Sequence, residues 1–489
     1  RGLVEKGFEL VSTGGTFQAL KEANLEVKQV SEVTGSPEIL GGRVKTLHPT
    51  IHGGILAKRD VQAHVDELEK LGIGTIDLVA VNLYPFADTI AREGVTLDDA
   101  LENIDIGGPT MIRAAAKNFP AVAVVVDPRD YAWLSKAVGT ETLDMSQRMA
   151  LAQKAFQHVA LYDTIISEYL LGESGDMGQE LTLGYKKIYD LRYGENPHQT
   201  ASFYGLSKSD GIAGAKQLHG KELSYNNILD ADAAWRSVSD FDESAVAIIK
   251  HTNPCGLAVH ENQSEAYERA FQGDTVSAYG GIVAFNRTVT EASAEAMRQI
   301  FYEIVVAPDF DSNALAILKK KKDLRILAVG DNKEVSSTRM EVRQVLGGGL
   351  VQTPDTIVED GASWQIVTNR APSQEEFADL LFAWKAAKHV KSNAIVLVKD
   401  NSLLGIGAGQ PNRVNSVHLA IRAASDGSQG SVLASDAFFP FPDGLELAAE
   451  NGVRAVVQPG GSIRDQEVIE AANRLGLAMM FTGVRHFRH

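Results

Sequence analysis

With a single cysteine, Cys255, in 489 residues, the chain has no means of forming an intrachain disulfide or a thiolate-rich metal site. That scarcity fits a reducing compartment, and the cytoplasm is the expected location. Long apolar runs are missing too. None approaches the roughly 18 residues that a membrane span needs, and the opening RGLVEKGFEL lacks the basic, apolar, small-residue order of a signal peptide. No initiator Met stands at the start, so the chain is expected to begin inside its first domain. Positive charge is also in short supply, with 47 Lys and Arg against 63 Asp and Glu and a net charge of −16. Such a balance speaks against a nucleic-acid partner, whose phosphates need a basic face. An anionic small ligand must then be held by local groups: glycine turns, helix N-termini and a few placed cations.

What is present suggests two or more domains, since the chain is long enough to bury more than one core. Its focus is AVAIIKHTNPCGLAV, residues 245–259. Ala245 to Ile249 has the β-branched content of a strand covered on both faces, and the TNPCG that follows Lys250-His251 has the composition of a turn. A Lys and a His are thus presented at a strand end, where a cation stabilises an oxyanion and an imidazole moves a proton. Taken alone, such a dipeptide is more often a satisfied surface turn than a catalytic pair.

The front third alternates short strands and helices. Phe8 to Val11 reads as a strand that opens into Ser12-Thr13-Gly14-Gly15-Thr16 and a helix. This is either a phosphate cradle or an ordinary strand-to-helix turn that uses glycine for its φ angles. The stretch from Gly41 through Arg43, Lys45 and Thr46 to Gly54 reads as a functional loop, and Pro49 is expected to break any helix that would align His48 and His52 on a metal. Ile76 to Val81 delivers Tyr84 to a strand end. Asp105-Ile106-Gly107-Gly108-Pro109 opens a helix whose Arg113 and Lys117 are expected to face one site, the alternative being a structural helix with two exposed cations. Ala121 to Val126 is another strand, a helix runs over about 147–171, and the glycine-rich acidic stretch Gly172 to Gln179 marks a domain boundary.

In the rear part, Asn226 and Asn227 precede an alanine-rich helix and suit capping or amide readout. Lys319 to Lys322 reads as a solvated face, and Ala394 to Ile406 as a hairpin turning at Lys399 to Ser402. GAGQPNR, residues 407–413, is a second anion cradle in which Arg413 grips a phosphate or carboxylate. No sequence repeat stands out, although GGPT and GGS (Gly460 to Ser462) both precede helices.

STGGT, GRVKTLHP, NLYPF and DIGGPTMIRAAAKN in the front, and LRYGENPHQ, KHTNPCG, SAYGG, GIGAGQPNR and DAFFPF behind, occur together and in order. In this the chain resembles, from its first residues to His489, the bifunctional purine biosynthesis family that joins phosphoribosylaminoimidazolecarboxamide (AICAR) formyltransferase to inosine monophosphate (IMP) cyclohydrolase. The resemblance implies a methylglyoxal-synthase-like parallel α/β domain over residues 1–178 that closes the ring to IMP. It implies a pair of cytidine-deaminase-like α/β subdomains over residues 179–489 that formylate AICAR. Implied partners are 10-formyltetrahydrofolate as cosubstrate, the nucleotides AICAR, formyl-AICAR (FAICAR) and IMP, and a second copy in a homodimer that shares its formyltransferase sites. No metal, nucleic acid or membrane is implied; the zinc deaminase pattern needs P-C-x-x-C, beyond the reach of Cys255 alone. In the family, a strand carrying a Ser and a Lys near the nucleotide phosphate precedes the segment with which this chain starts, and ring closure is expected to depend on that strand.

By the same resemblance, Lys250, His251 and Asn393 are catalytic in formyl transfer, while Arg192, Tyr193, Asn227, Gly280, Glu303, Arg413 and Phe439 bind substrate. Lys117, Asp105, Tyr84 and Lys45 are catalytic in ring closure, with Ser12, Thr13, Gly14, Gly15, Thr16, Arg43, Thr46, Gly107 and Gly108 around the nucleotide. The chemistry agrees. The 5-amine of AICAR is a poor nucleophile, its lone pair being delocalised, and formyl transfer needs a base and an oxyanion stabiliser. Two rivals are a nucleotide-sensing module without catalysis and a different one-carbon or amide transferase.

Overall fold

A computed structural model describes the chain except residues 139–142, 173–176, 207–208, 331–339 and 358. It divides into two compact units, Arg1–Tyr185 and Lys186–His489. The expected boundary stretch Gly172 to Gln179 lies partly outside the described residues, and the units divide a few residues beyond it.

In the first unit the strands are shorter than their apolar runs. Val11–Ser12 pairs in parallel with Lys28–Gln29, and Leu78–Ala80 in parallel with Ala123–Val125. Val122 to Val126 are all at most 6% exposed, so this run is covered on both faces. The helix Gly107–Lys117 buries Ala114, Ala115 and Ala116 in one cluster with Leu151, Ala152 and Ala155 of the long helix Met145–Leu171. Small side chains let these helices lie close. Residues 49–56 depart from expectation: they form a helix, Pro49–Leu56, and not a loop. Proline at the first helical position lacks only an N–H that would be unpaired anyway, and His48 Nδ1 caps the helix by accepting from Thr50 N at 3.2 Å. Gly54 is required there, because a Cβ would stand 2.5 Å from the Gly74 carbonyl oxygen.

The second unit is built on a twelve-stranded sheet made of two copies of one arrangement. In the first copy the helix Tyr225–Ser239 leads into the hairpin Ala245–Lys250 and Asn253–Val259. The helix Gln263–Gly273 follows, and then the parallel strands Ile282–Phe285, Ile304–Ala307 and Arg325–Ala328 with intervening helices. In the second copy the helix Gln374–Ala387 leads into the hairpin Ile395–Lys399 and Ser402–Gly407, the helix Arg413–Ala424, and the parallel strands Val432–Ser435, Ala455–Gln458 and Ala478–Phe481. An antiparallel edge strand closes each end, Lys216–His219 in one and Gln365–Ile366 in the other. The copies join where Ser402 sits opposite Ala258.

The duplication escapes the sequence because few side chains other than small apolar ones persist: Asp230 and Asp379, Trp235 and Trp384, Lys250 and Lys399, Gly256 and Gly405, and the helix caps Asn262 and Asn412 hold equivalent places. The glycines persist for a steric reason. A Cβ on Gly256 would stand 1.9 Å from the Ala270 carbonyl oxygen, and one on Gly405 2.4 Å from that of Ala420, so a helix lies directly on each hairpin. Alternation within the first strand shows how both faces are used. Ala245, Ala247 and Ile249 enter one apolar cluster, Val246 and Ile248 another.

The expected turn at TNPCG is corrected. Asn253 to Gly256 belong to the returning strand, and the turn is His251-Thr252, with φ of 53° and 60°. Pro254 is tolerated because the register shifts between Ile248 and Ile249, opposite Gly256 and Pro254. The second hairpin turns the same way at Asp400-Asn401, with φ of 54° and 52°.

Candidate functional site

Lys250 and His251 stand at the tip of the first hairpin. The Lys250 ammonium donates to the Tyr279 carbonyl at 2.9 Å, which leaves two of its protons for a ligand. His251 is exposed. Two consecutive non-glycine residues with positive φ cost on the order of 1–3 kcal/mol each, more so for the β-branched Thr252. The helix Tyr225–Ser239 offsets this strain, because Asp230 Oδ1 accepts from Thr252 N at 2.7 Å. Burial pushes the Asp230 carboxyl above its usual range, and the Thr252 and His251 amides pull it back in part.

The tip is tied to the second copy by hydrogen bonds. Asn253 Nδ2 donates to the His251 carbonyl at 3.0 Å, and Lys391 N donates to Asn253 Oδ1 at 3.4 Å. Two residues on, Asn393 Nδ2 donates to the Gln410 carbonyl at 2.8 Å, and Asn393 Oδ1 accepts from Arg413 Nη2 at 2.7 Å. Arg413 Nη1 donates to Asp436 Oδ1 at 2.5 Å and to Ser435 Oγ at 2.8 Å. The structure therefore joins His251 and Asn393 in one network.

Arg413 itself is corrected. It is 7% exposed and its partner Asp436 is fully buried, so the carboxylate it grips belongs to the chain itself, and the guanidinium holds Asn393. Phe439 is corrected likewise: it is 1% exposed and lies in a core cluster with Val417 and Leu445. Glu303 is paired with Arg325 Nη1 at 2.7 Å, and its amide donates to the Gly281 carbonyl, which places it beside Gly280 at the sheet end that carries Lys250. Asn227 is spent in part as a helix cap, its Oδ1 accepting from Ser224 N at 3.2 Å. The Arg192 guanidinium stacks 4.7 Å from the Tyr193 ring, and this turn reaches the same helix through Asn226 Nδ2, which donates to the Glu195 carbonyl at 3.3 Å.

Cys255 is held in its thiol form. Burial pushes its thiol up to about 12, and its Sγ lies 3.3 Å from the Ile248 carbonyl oxygen. The lysine run is solvated at Lys319, Lys320 and Lys322 and is corrected at one residue: Lys321 turns inward and donates to the Met297 carbonyl at 2.9 Å and to that of Ile300.

In the first unit a second constellation gathers at one end of the helix Gly107–Lys117. Thr13 Oγ1 donates to Glu38 Oε1 at 2.5 Å, and Lys45 Nζ lies 3.4 Å from Glu38 Oε2. The Thr13 hydroxyl, with Lys45 behind it, holds the Glu38 carboxyl below its usual range. Gly14, whose φ is +56°, leaves room for Lys45, and Gly107 leaves room for Thr46 Oγ1, which would stand 2.7 Å from a Cβ. Asp105 Oδ1 accepts from Gly108 N at 2.8 Å, while Asp105 N donates to Tyr162 OH at 2.9 Å. Tyr84 is half exposed. Ser12 ends the strand that leads into this turn, and Gly15 and Thr16 lie in the first turn of the helix Gly14–Glu22.

Two cations leave this cluster. Arg43 pairs with Glu102, and Arg113 stacks 5.6 Å from Phe156. Lys117 is exposed at the other end of its helix, about 15 Å from Gly107 at 1.5 Å per residue. Asn118 fixes that end by donating to the Ile55 and Ala57 carbonyls at 2.7 and 3.0 Å. The expectation that Arg113 and Lys117 converge with the glycine amides is thus not met within one chain. Asp230, Asp436, Asn253, Glu38 and Tyr162 went unread in the sequence; only the partners they meet in space distinguish them.

The family model for the AICARFT/IMPCHase bienzyme matches residues 115–423, and that for the MGS-like domain matches residues 1–110. The bifunctional purine biosynthesis protein PurH of Desulfitobacterium hafniense is 55% identical over 502 aligned residues, covering 100% of this chain and 96% of its own length. The chain belongs to this bienzyme family. The PurH protein of Bacillus cereus strain B4264 is 54% identical, with the same coverage of both chains. The crystal structure of ForH is 37% identical over 36% of this chain and 90% of its own, with a TM-score of 0.33. As a member of the bienzyme family, the chain is an AICAR formyltransferase and IMP cyclohydrolase and catalyses the last two steps of purine biosynthesis. Its formyl donor class is a formyl-tetrahydrofolate. Among the described residues no helix is long and apolar enough to cross a membrane.

Proposed function

We propose that formyl transfer takes place in the Lys186–His489 unit at the first hairpin tip, and ring closure in the Arg1–Tyr185 unit around Lys45, Thr46 and Asp105. The network from His251 through Asn253 and Lys391 to Asn393 supports this reading, because it ties the backbone that carries Lys250 and His251 to the segment that carries the Asn393 carboxamide. The 5-amine of AICAR attacks the formyl carbon of 10-formyltetrahydrofolate. His251 takes the amine proton, and the Lys250 ammonium faces the oxyanion that forms on the formyl oxygen. Collapse of the intermediate expels N10 of tetrahydrofolate, which takes up a proton. The free Asn393 Nδ2 proton orients the formyl oxygen. Asn227, Gly280, Glu303 and the stacked Arg192 and Tyr193 surround the nucleotide.

For ring closure, the carboxamide nitrogen of FAICAR attacks its own formyl carbon and water leaves. Lys45 and Asp105 supply the charge and the proton relay, Tyr84 stands beside them, and the Ser12 to Thr16 turn receives the phosphate. Lys117 lies far along its helix, and a second copy in a homodimer is the simplest way to bring it to a site. Nucleic acid and membranes have no part in this reading, and the acidic chain with its one thiol suits the cytoplasm.

The test follows tetrahydrofolate and IMP after mixing the chain with AICAR and 10-formyltetrahydrofolate. His251→Ala stops tetrahydrofolate release yet converts supplied FAICAR, whereas Lys45→Ala accumulates FAICAR. Turnover of AICAR by His251→Ala at the wild-type rate overturns the assignment. Sedimentation reads the dimer, and mixing Lys45→Ala with Lys117→Ala restores ring closure if the two lysines serve one site from different copies.

A further inference from the structure

The tip that carries His251 has an internal control in the same molecule. Asp230 accepts from Thr252 N at 2.7 Å, twenty-two residues downstream, and Asp379 accepts from Asn401 N at 2.7 Å across the same 22 residues. Asp379 also accepts from Asp400 N at 3.0 Å. Both aspartates sit on the helix that precedes their hairpin, and both meet a turn of two non-glycine residues with positive φ. The first clamp holds a turn bearing an imidazole, the second a turn bearing a carboxylate and an amide.

We infer that Asp230 is a positioning residue for formyl transfer: by holding the Thr252 amide, it fixes the left-handed turn and so aims the His251 imidazole at the reacting amine. This rests on the reading of His251 as the base. A base must lie within hydrogen-bond reach of the proton it takes, and His251 leaves the sheet on a turn whose left-handed conformation the β-branched Thr252 disfavours. Without the carboxylate, the turn has a lower-energy alternative, and the ring swings with it. Asp379 does the same for its backbone, but no reacting group depends on the outcome.

The test uses the full chain with Asp230→Ala, Asp230→Asn and Asp379→Ala, each alone and with His251→Ala. Asp230→Ala is expected to lower kcat for formyl transfer by about 10- to 100-fold at unchanged KM for AICAR. Asp230→Asn keeps one acceptor oxygen and is expected to recover part of that loss, which keeps the test open if the alanine variant fails to fold. Asp379→Ala is expected to lower the melting temperature as Asp230→Ala does and to leave kcat alone. In the His251→Ala background, Asp230→Ala is expected to cost nothing further, because the group it aims is gone. An equal kcat loss with and without the imidazole, or an equal loss from Asp379→Ala, overturns the inference. Wild-type turnover by His251→Ala overturns the base assignment instead, so the two failures are told apart.

Discussion

The two copies within the Lys186–His489 unit share a backbone and differ in what they do with it. Lys250 donates to the Tyr279 carbonyl, and Lys399, in the same place, donates to that of Gln429 at 3.2 Å. Asn286 N and Asp436 N each donate, at 3.3 Å, to the first residue of their hairpins, Ala245 and Ala394. Those features belong to the fold. The differences lie elsewhere: His251 faces Asp400 as its counterpart, and neutral Gln263 and Asn286 stand where Arg413 and Asp436 stand. Gln263 and Asn286 are satisfied by nearby backbone, with Gln263 Nε2 donating to the Thr288 carbonyl at 2.9 Å and Asn286 Nδ2 to that of Phe241 at 2.8 Å. Only the charged pair reaches Asn393. One copy thus presents an imidazole at its hairpin tip, and the other presents a charged brace for a carboxamide.

The comparison breaks hardest at the hairpin tips. His251→Ala is expected to lower formyl transfer by about 10²- to 10⁴-fold, while Asp400→Ala leaves it unchanged; steady-state rates for both decide. Next comes the brace. Arg413→Met strands the buried Asp436 carboxylate and is expected to cost about 3–5 kcal/mol in urea unfolding. The equivalent Gln263→Met, which strands neutral groups, is expected to cost about 1–3 kcal/mol. Replacing both charges by the other copy's residues, Arg413→Gln with Asp436→Asn, should recover most of that stability without recovering formyl transfer.

A smaller effect lies where the copies meet. Asp240 and His389 hold equivalent positions, and His389 Nε2 lies 2.8 Å from Asp240 Oδ2, with Lys388 Nζ at 3.2 Å. Burial pushes the Asp240 carboxyl up, but the His389 hydrogen bond and the Lys388 charge outweigh it and hold the group at about 2, below the ordinary 3.8. Because the folded value is depressed, its stabilisation is complete above the ordinary value and is lost as pH falls through about 2. That contribution is about 2 kcal/mol, and Asp240→Asn should flatten the acid limb of a stability–pH curve by this amount. Smallest is the turn itself. Thr252→Gly should raise stability by about 1 kcal/mol and Asn401→Gly by less, since asparagine tolerates a positive φ better than a β-branched residue.

Where one signal dominated locally, the sequence was readable. The doubly covered strand from Ala245, the second hairpin and the long helix ending at Leu171 all announce themselves through apolar runs and turn residues. Composition misled where tertiary partners override it. Pro254 and Gly256 look like a turn, yet the turn falls on His251-Thr252 because Asp230, distant in sequence, holds it there. Arg413 follows a glycine-rich loop as a phosphate ligand does, and only the fold supplies Asp436 to claim it. Lys321 sits among three other lysines, and only the fold brings the Met297 and Ile300 carbonyls to it. The duplication was silent because, beyond a few small apolar residues, its persistent side chains are an aspartate, a tryptophan, a lysine, a glycine and a capping asparagine spread along each copy, too scattered to show as a repeat.

One face of the long sheet carries a single apolar cluster that runs through both copies, joining Trp235, Phe241 and Ile249 to Phe382, Trp384 and Val398. The other face carries two separate clusters, one around Val246 and Tyr267, the other around Leu397 and Val417. Cooperativity should therefore be lopsided. Loosening of the shared layer releases both copies together, whereas on the divided face each copy is free to open by itself, and amide hydrogens there should exchange in two independent groups. The bond from Lys391 N to Asn253 Oδ1 crosses between the copies. A fluctuation that slides one copy against the other would then part the imidazole from the carboxamide while both cores stay folded, so formyl transfer should fade under mild denaturant before any loss of secondary structure.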